Sequence, residues 1–172
     1  MVRTIRIYVM LAALAAVPCS VFAQGGREAQ APKPQTIDLA TAKKLIAAAE
    51  AEALKANAKV GIAVVDSNGD LVASERIDGA STRGVTSSQA KARAALLFGL
   101  PTKQVQDAIA AGKPVQANVT AAAASGELVI NQGGLPILKD GKVIGGIGVG
   151  GSASSEDERF AQAGINAAFP GK

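Results

Sequence analysis

Histidine and tryptophan are absent from this chain of 172 residues, and cysteine, methionine and tyrosine nearly so. Cys19, Met1, Met10 and Tyr8 all fall within the first 23 residues. That stretch has the pattern of an export signal: Arg3 and Arg6 form a basic start, and Ile7 to Val17 is an apolar run of eleven. Val21-Phe22-Ala23 then ends in a small residue ahead of Gln24. A membrane anchor needs roughly twenty apolar residues, so cleavage after Ala23 and a periplasmic or secreted location are expected, with no stable membrane insertion afterwards. Cys19 raises a lipoprotein alternative, which Pro18 just before it fits poorly.

Removal of residues 1–23 would leave no His, Cys, Met, Tyr or Trp, and only Phe98, Phe160 and Phe169 as aromatics. Ser-His-Asp and Cys-His catalysis, His/Cys zinc sites and disulfides are thereby excluded. So are the usual protein ligands of haem iron, namely His, Met, Cys and Tyr. Net charge falls from +4 to about +2 without Arg3 and Arg6. There is no basic stripe interleaved with aromatics, so nucleic-acid binding is not expected.

What is present is glycine and alanine in ordered patterns. Gln24 to Thr36, rich in Gln, Pro, Gly and charge, reads as a disordered leader (residues 24–36). A single domain over residues 37–172 follows. Asp38 is a good N-cap for a helix from about Leu39 to Ala56, with Leu39, Ala42, Leu45, Ile46, Ala49 and Ala53 as its apolar face. Val60–Val65 and Leu71–Ile77 read as strands joined by the turn Asp66–Asp70. Asp66, Asn68 and Asp70 alternate as in the first half of a calcium loop, but no Glu follows at the spacing of the bidentate ligand. No set of residues has metal-ligand spacing.

Thr86 or Ser87 is expected to cap a helix ending near Phe98, and a shorter helix runs from Thr102 to Ala111. Lys113–Ser125 is ambiguous, and its sequon Asn118-Val119-Thr120 is too short a match to carry weight. Glu127–Ile130 is predicted as a strand, and Ser155-x-x-Glu158 as a capping box opening a helix to about Ala168.

The most informative segment is Gly133–Gly151, with eight glycines in nineteen residues. Leu135, Ile137 and Leu138 precede Asp140-Gly141, and Val143, Ile144, Ile147 and Val149 follow, which predicts a hairpin on a type I′ turn. Glycines within strands leave room for another backbone, a helix or a flat ligand. Gly146-Ile-Gly148-Val-Gly150 lacks the βαβ context of a dinucleotide fingerprint, and no Gly-Lys-Ser/Thr is present. Tight turns between strands favour an antiparallel α+β domain over a doubly wound sheet.

On these residues the chain resembles the GlcG/HbpS-like family, related to the C-terminal domain of PduO adenosyltransferases. The resemblance spans Leu39–Ala168. It is carried by GGLPILKDGKVIGGIGVGG, Glu156-Asp157-Glu158 with Ala161-Gln162-Ala163-Gly164, Ala63–Asp66 with Gly69, Arg76 with Asp78-Gly79-Ala80, and Lys91-Ala92-Arg93 ahead of Leu97-Phe98-Gly99. The family commonly has Ser where this chain has Gly150.

The resemblance implies a profilin-like antiparallel sheet with helices packed on it. It also implies a homo-oligomer, an octamer among the expected forms, and a haem or corrinoid ligand. The glycine surface suits a flat macrocycle, with Arg76, Arg83, Lys91 and Arg93 as partners for propionates. Asn131, Gln132, Gly133, Gly134, Pro136, Gly146 and Gly148 complete the candidate cofactor site. Iron would take Lys, Thr or a carboxylate, or no protein ligand. The leading expectation is therefore a binding protein for haem or a related tetrapyrrole in sensing, storage or transfer. Two alternatives stand beside it: a small-metabolite enzyme drawing on Asp66, Asp78, Lys91, Arg93, Asp157 and Glu158, and a cofactor-free assembly or sensor-partner module.

Overall fold

The computed structural model describes residues 36–117 and 127–171. The export signal, nearly all of the leader and the sequon lie outside them. Four helices and four strands follow the order α1 (Leu39–Lys55), β1 (Gly61–Asp66), β2 (Leu71–Arg76), α2 (Thr82–Phe98), α3 (Thr102–Ala110), β3 (Gly134–Lys139), β4 (Lys142–Gly150) and α4 (Ser154–Ala168). The sheet runs β2-β1-β4-β3 with every pair antiparallel. This is the α+β architecture expected from the sequence. No helix among the described residues is long and apolar enough to cross a membrane.

The sheet has two unlike faces. Ile62, Val64, Leu135, Ile137, Ile147 and Val149 form the large-residue face, which packs with α1 and α4 around Leu45, Ile46 and the fully buried Phe160. Neighbouring positions on β1, β3 and β4 carry small side chains, paired Gly61 with Gly150, Ala63 with Gly148 and Gly134 with Gly148. Helix α2 lies on that second face. It sits so close that a Cβ on Gly148 would lie 2.1 Å from the Ser88 carbonyl oxygen, and one on Gly146 2.2 Å from that of Ala92.

The open glycine surface expected from the sequence is thus corrected. Gly146 and Gly148 are buried under a helix of their own chain, and no flat ligand reaches them. The glycines are there because backbone must approach backbone.

Three element boundaries also differ from expectation. Helix α2 begins a turn early, with the Ser81 side chain accepting from the Gly84 N–H at 3.1 Å. Thr82 and Gly84 have weak helix propensity, but Gly84 is held against Gly150 and Gly151, and this tertiary contact decides the matter. Glu127–Ile130 is no strand. The Val129 N–H points to the Ala90 carbonyl oxygen at 3.5 Å, so the segment runs beside α2 rather than along the free edge of β3. Finally, α4 starts at Ser154 behind an Ala153 N-cap that offers no side-chain hydrogen bond, so Ser155 and Glu158 form no capping box. Its neighbour Ser152 is bound instead: Asp157 Oδ1 accepts from the Ser152 N–H at 3.1 Å, and Glu156 Oε2 accepts from Ser152 Oγ at 2.6 Å.

Candidate functional site

The tight seating of α2 brings its buried Lys91 across the end of β4. Lys91 Nζ donates to the Val149 carbonyl oxygen at 2.9 Å and to Asp157 Oδ2 at 2.8 Å. Lys91 is 4% exposed and Asp157 1%, so this is an ion pair removed from water. Gly133 makes the space for it: with φ +124°, its Cβ would lie 2.7 Å from Asp157 Cβ and 2.8 Å from Lys91 Nζ. Burial pushes the Asp157 carboxyl above its ordinary range, with the hydrogen bond and charge of Lys91 opposing it. Thr102, at the start of α3, fastens the adjoining loop. Its Oγ1 donates to the Asn131 carbonyl oxygen at 2.9 Å and accepts from the Gly134 N–H at 2.9 Å.

Above this ion pair opens a cavity of about 500 Å³, between the first turns of α2 and α4. Ser81, Arg83 and Ser87 stand on the α2 side, Ser152 and Ser154 on the α4 side, and Glu127 and Asn131 close a third. Its size is that of a small-molecule site, but its walls are hydroxyls, amides and charges rather than apolar side chains.

The structure gathers some predicted residues here and disperses others. Lys91 and Asn131 line the cavity, and Gly133 shapes its floor. Gly134 packs against the Lys91 carbonyl oxygen and Thr102. Gln132 is half-buried and does not line the cavity. Pro136 lies in a different, apolar groove with Leu100, Leu138 and Phe169. Arg76 ends the edge strand β2 in an exposed position. Arg93 donates from Nε to the Gly69 carbonyl oxygen at 3.3 Å, in the β1–β2 turn.

Of the catalytic candidates only Lys91 and Asp157 meet. Asp66 Oδ1 accepts from the N–H groups of Asn68 and Asp70 and shapes a turn, and Glu158 faces a separate hollow between α1 and α4. The serines and Glu127 escaped the sequence reading because nothing in their spacing marks them as neighbours; the Ser81-Thr82-Arg83 cap before an alanine-rich helix was the available signal.

A family model described as "Haem degrading protein HbpS-like" matches residues 37–166. The chain belongs to the HbpS-like family. Among its relatives, an uncharacterised 15.0 kDa protein from the dhaT-dhaS intergenic region of Citrobacter freundii is 34% identical over 131 residues, 76% of this chain and 91% of that one. Protein GlcG of Escherichia coli is 37% identical over 108 residues, covering 63% of this chain and 76% of GlcG. Among solved structures, protein ORFY of Klebsiella pneumoniae superimposes with a TM-score of 0.71 at 28% identity, covering 83% of this chain and 97% of ORFY. A double mutant of HbpS from Streptomyces reticuli gives 0.66 at 31% identity, covering 88% and 97%.

The residues present fit a haem-like group in part. The cavity offers the cations Arg83 and Lys91 for carboxylates. For iron, the described residues include no His, Cys, Met or Tyr, and the Lys91 amine is engaged by Val149 and Asp157.

Proposed function

We propose that this member of the HbpS-like family is an exported, oligomeric protein that binds haem or a related tetrapyrrole for sensing, storage or transfer. The observation that carries the reading is the cavity at the start of α2, where Arg83 and Lys91 are gathered, in a chain whose family description names haem. Arg83 and the Ser81 and Ser154 hydroxyls would hold the carboxylates of such a group. The glycine face would take no part in holding it, since α2 occupies that face. Among the described residues there is no imidazole, thiolate, thioether or phenol to ligate iron, which would suit release and transfer better than tuned redox chemistry.

Haemin titration of the purified protein, followed at the Soret band beside an albumin control, tests the binding. Saturation at a fixed ratio per subunit with a shifted band is expected; a linear, albumin-like response refutes it. Light scattering of the purified protein tests the oligomer. Fractionation of expressing cells, with N-terminal sequencing that finds Gln24 first, tests export.

One observation favours a second reading, an enzyme acting on a small metabolite. The buried Lys91–Asp157 pair at the cavity floor sets the Lys91 ammonium beside a carboxyl that burial pushes above its ordinary range, a pairing suited to proton transfer. Asp66 and Asp78 have no place in that scheme, because neither lines the cavity.

A further inference from the structure

Arg83 stands on the first turn of α2 at the wall of the cavity, and none of the ion pairs among the described residues includes it. A guanidinium presents a rigid fork of donors matched to a carboxylate. Below it, Lys91 is 4% exposed, and two of its three ammonium protons are engaged, by Val149 and Asp157. The nearby Asp157 carboxyl contributes little net repulsion, since one oxygen is bound by that ammonium and the other by the Ser152 N–H.

Two helix starts adjoin the same space. Ser81 and Arg83 belong to the start of α2, and Ser154 opens α4, whose Ala153 N-cap leaves its first amides without a side-chain acceptor. The partial positive charge of the α2 start adds to that of Arg83, while at α4 it is offset by Glu156 and Asp157 in the first turn. Two carboxylates oppose a bound anion: Glu127, exposed on the far rim, and Glu156 in the first turn of α4, whose Oε2 accepts from the Ser152 hydroxyl.

We infer that this cavity is a carboxylate-binding site in which Arg83 is the anchoring cation, the Ser81 and Ser154 hydroxyls flank the bound group as donors, and Glu127 weakens binding by repulsion; the protons of Ser87 and Ser152 are already given to the Gly84 carbonyl oxygen and to Glu156. The carboxylate has two sources, the propionate of a tetrapyrrole or a free small organic acid. The first deepens the tetrapyrrole reading and rests on it; the second does not.

The test uses sodium propionate as probe in a ¹H–¹⁵N chemical-shift titration. Saturable shifts at the amides of Gly84, Ser87 and Ser152 are expected. Arg83→Gln should raise the apparent Kd at least fivefold, Arg83→Lys should restore part of it, and Glu127→Gln should lower it. Lys103→Gln, on an exposed helix position paired with Asp107, should change nothing.

A second arm compares haemin with its dimethyl ester. If propionates are the source, the ester binds wild type as weakly as haemin binds Arg83→Gln, and free propionate competes with haemin. If propionate saturates the site while haemin does not bind, the carboxylate site stands and the tetrapyrrole reading falls. Absence of saturable propionate shifts, or haemin and propionate affinities that are the same in wild type and Arg83→Gln, overturns the inference.

Discussion

Replacement of Gly148 by alanine tests the central structural claim, that α2 and not a ligand occupies the glycine face. The added Cβ would sit 2.1 Å from the Ser88 carbonyl oxygen and 2.6 Å from the Ala92 nitrogen, both backbone atoms of α2. Ordinary contact begins at 3.4 Å, so the helix must retreat by about 1.3 Å, and no rotamer change can absorb it. A gap of roughly 0.5–1 Å already forfeits a quarter to a half of each dispersion contact. The loss would be shared along the face on which Ala92 and Leu96 pack with Val65 and Val143. Overpacking typically costs about 1–3 kcal/mol. A backbone clash in an inner strand belongs at or beyond the top of that range, at about 3 kcal/mol or more.

The comparison variant is Gly141→Ala in the β3–β4 turn. There φ is +75° and nothing lies within 4 Å of the new methyl, so only left-handed backbone strain of about 1 kcal/mol remains. Urea unfolding followed by circular dichroism measures both, with a lower midpoint at an unchanged m-value as the signature of lost stability. If Gly148→Ala costs no more than Gly141→Ala, α2 does not sit on these glycines, and the face is again open to a flat ligand.

Other perturbations probe the ion pair and its surroundings. Lys91→Met leaves the Asp157 carboxylate buried without its cation and should cost about 3 kcal/mol at neutral pH, part of which Lys91→Met/Asp157→Asn recovers; a double-mutant cycle on urea midpoints measures the coupling. Since the native Asp157 carboxyl binds its proton more tightly than the unfolded one, whose pKa is near 3.8, its contribution to stability is full below that value. It is lost as pH rises from there through the raised native value. The stability of wild type relative to Asp157→Asn should accordingly fall with pH across the acid range, and a rising or flat difference refutes the assigned direction. Thr102→Val strips the hydrogen-bond acceptor from the buried Gly134 N–H and the donor from the Asn131 carbonyl oxygen. It should cost about 2 kcal/mol by thermal or urea unfolding.

Local signals carried the sequence reading as far as they reach. The Asp38 cap and the apolar spacing located α1, and Ala42, Leu45, Ile46, Ala49 and Ala53 are indeed its buried residues. Asp140-Gly141 turns with φ of 51° and 75°, the left-handed pair a type I′ hairpin requires. Glycine spacing along β4 announced a close approach, but a Gly-x-Gly pattern is the same whether a helix or a macrocycle comes near. Only the placement of α2 decides.

Lys91 shows the limit more sharply. In sequence it is one lysine in an alanine-rich helix, and its burial depends on a carboxylate 66 residues away. Glu127–Ile130 failed for the same reason: a short β-prone run reads as a strand, and whether it joins a sheet edge or lies along a helix is tertiary information.

Strand β4 connects the fold to the site. Its large residues, Ile147 and Val149, face α1 and α4, and its glycines, Gly146, Gly148 and Gly150, lie against α2. Because no side chain separates β4 from α2, Lys91 can reach both the Val149 carbonyl and Asp157, and the start of α2 arrives beside Gly150 and Gly151. The cavity floor is therefore set by backbone contact and a buried ion pair, while Arg83 and Glu127 project from its exposed rim. Stability and ligand preference then rest on different residues. Arg83→Gln should lose carboxylate binding with little change in urea midpoint, since surface substitutions generally stay within about 0.5 kcal/mol. Gly148→Ala should lose both together, because a displaced α2 carries Lys91 and Arg83 away with it. Equal stability losses in the two variants would mean that Arg83 helps hold the fold, and its assignment to the ligand would fail.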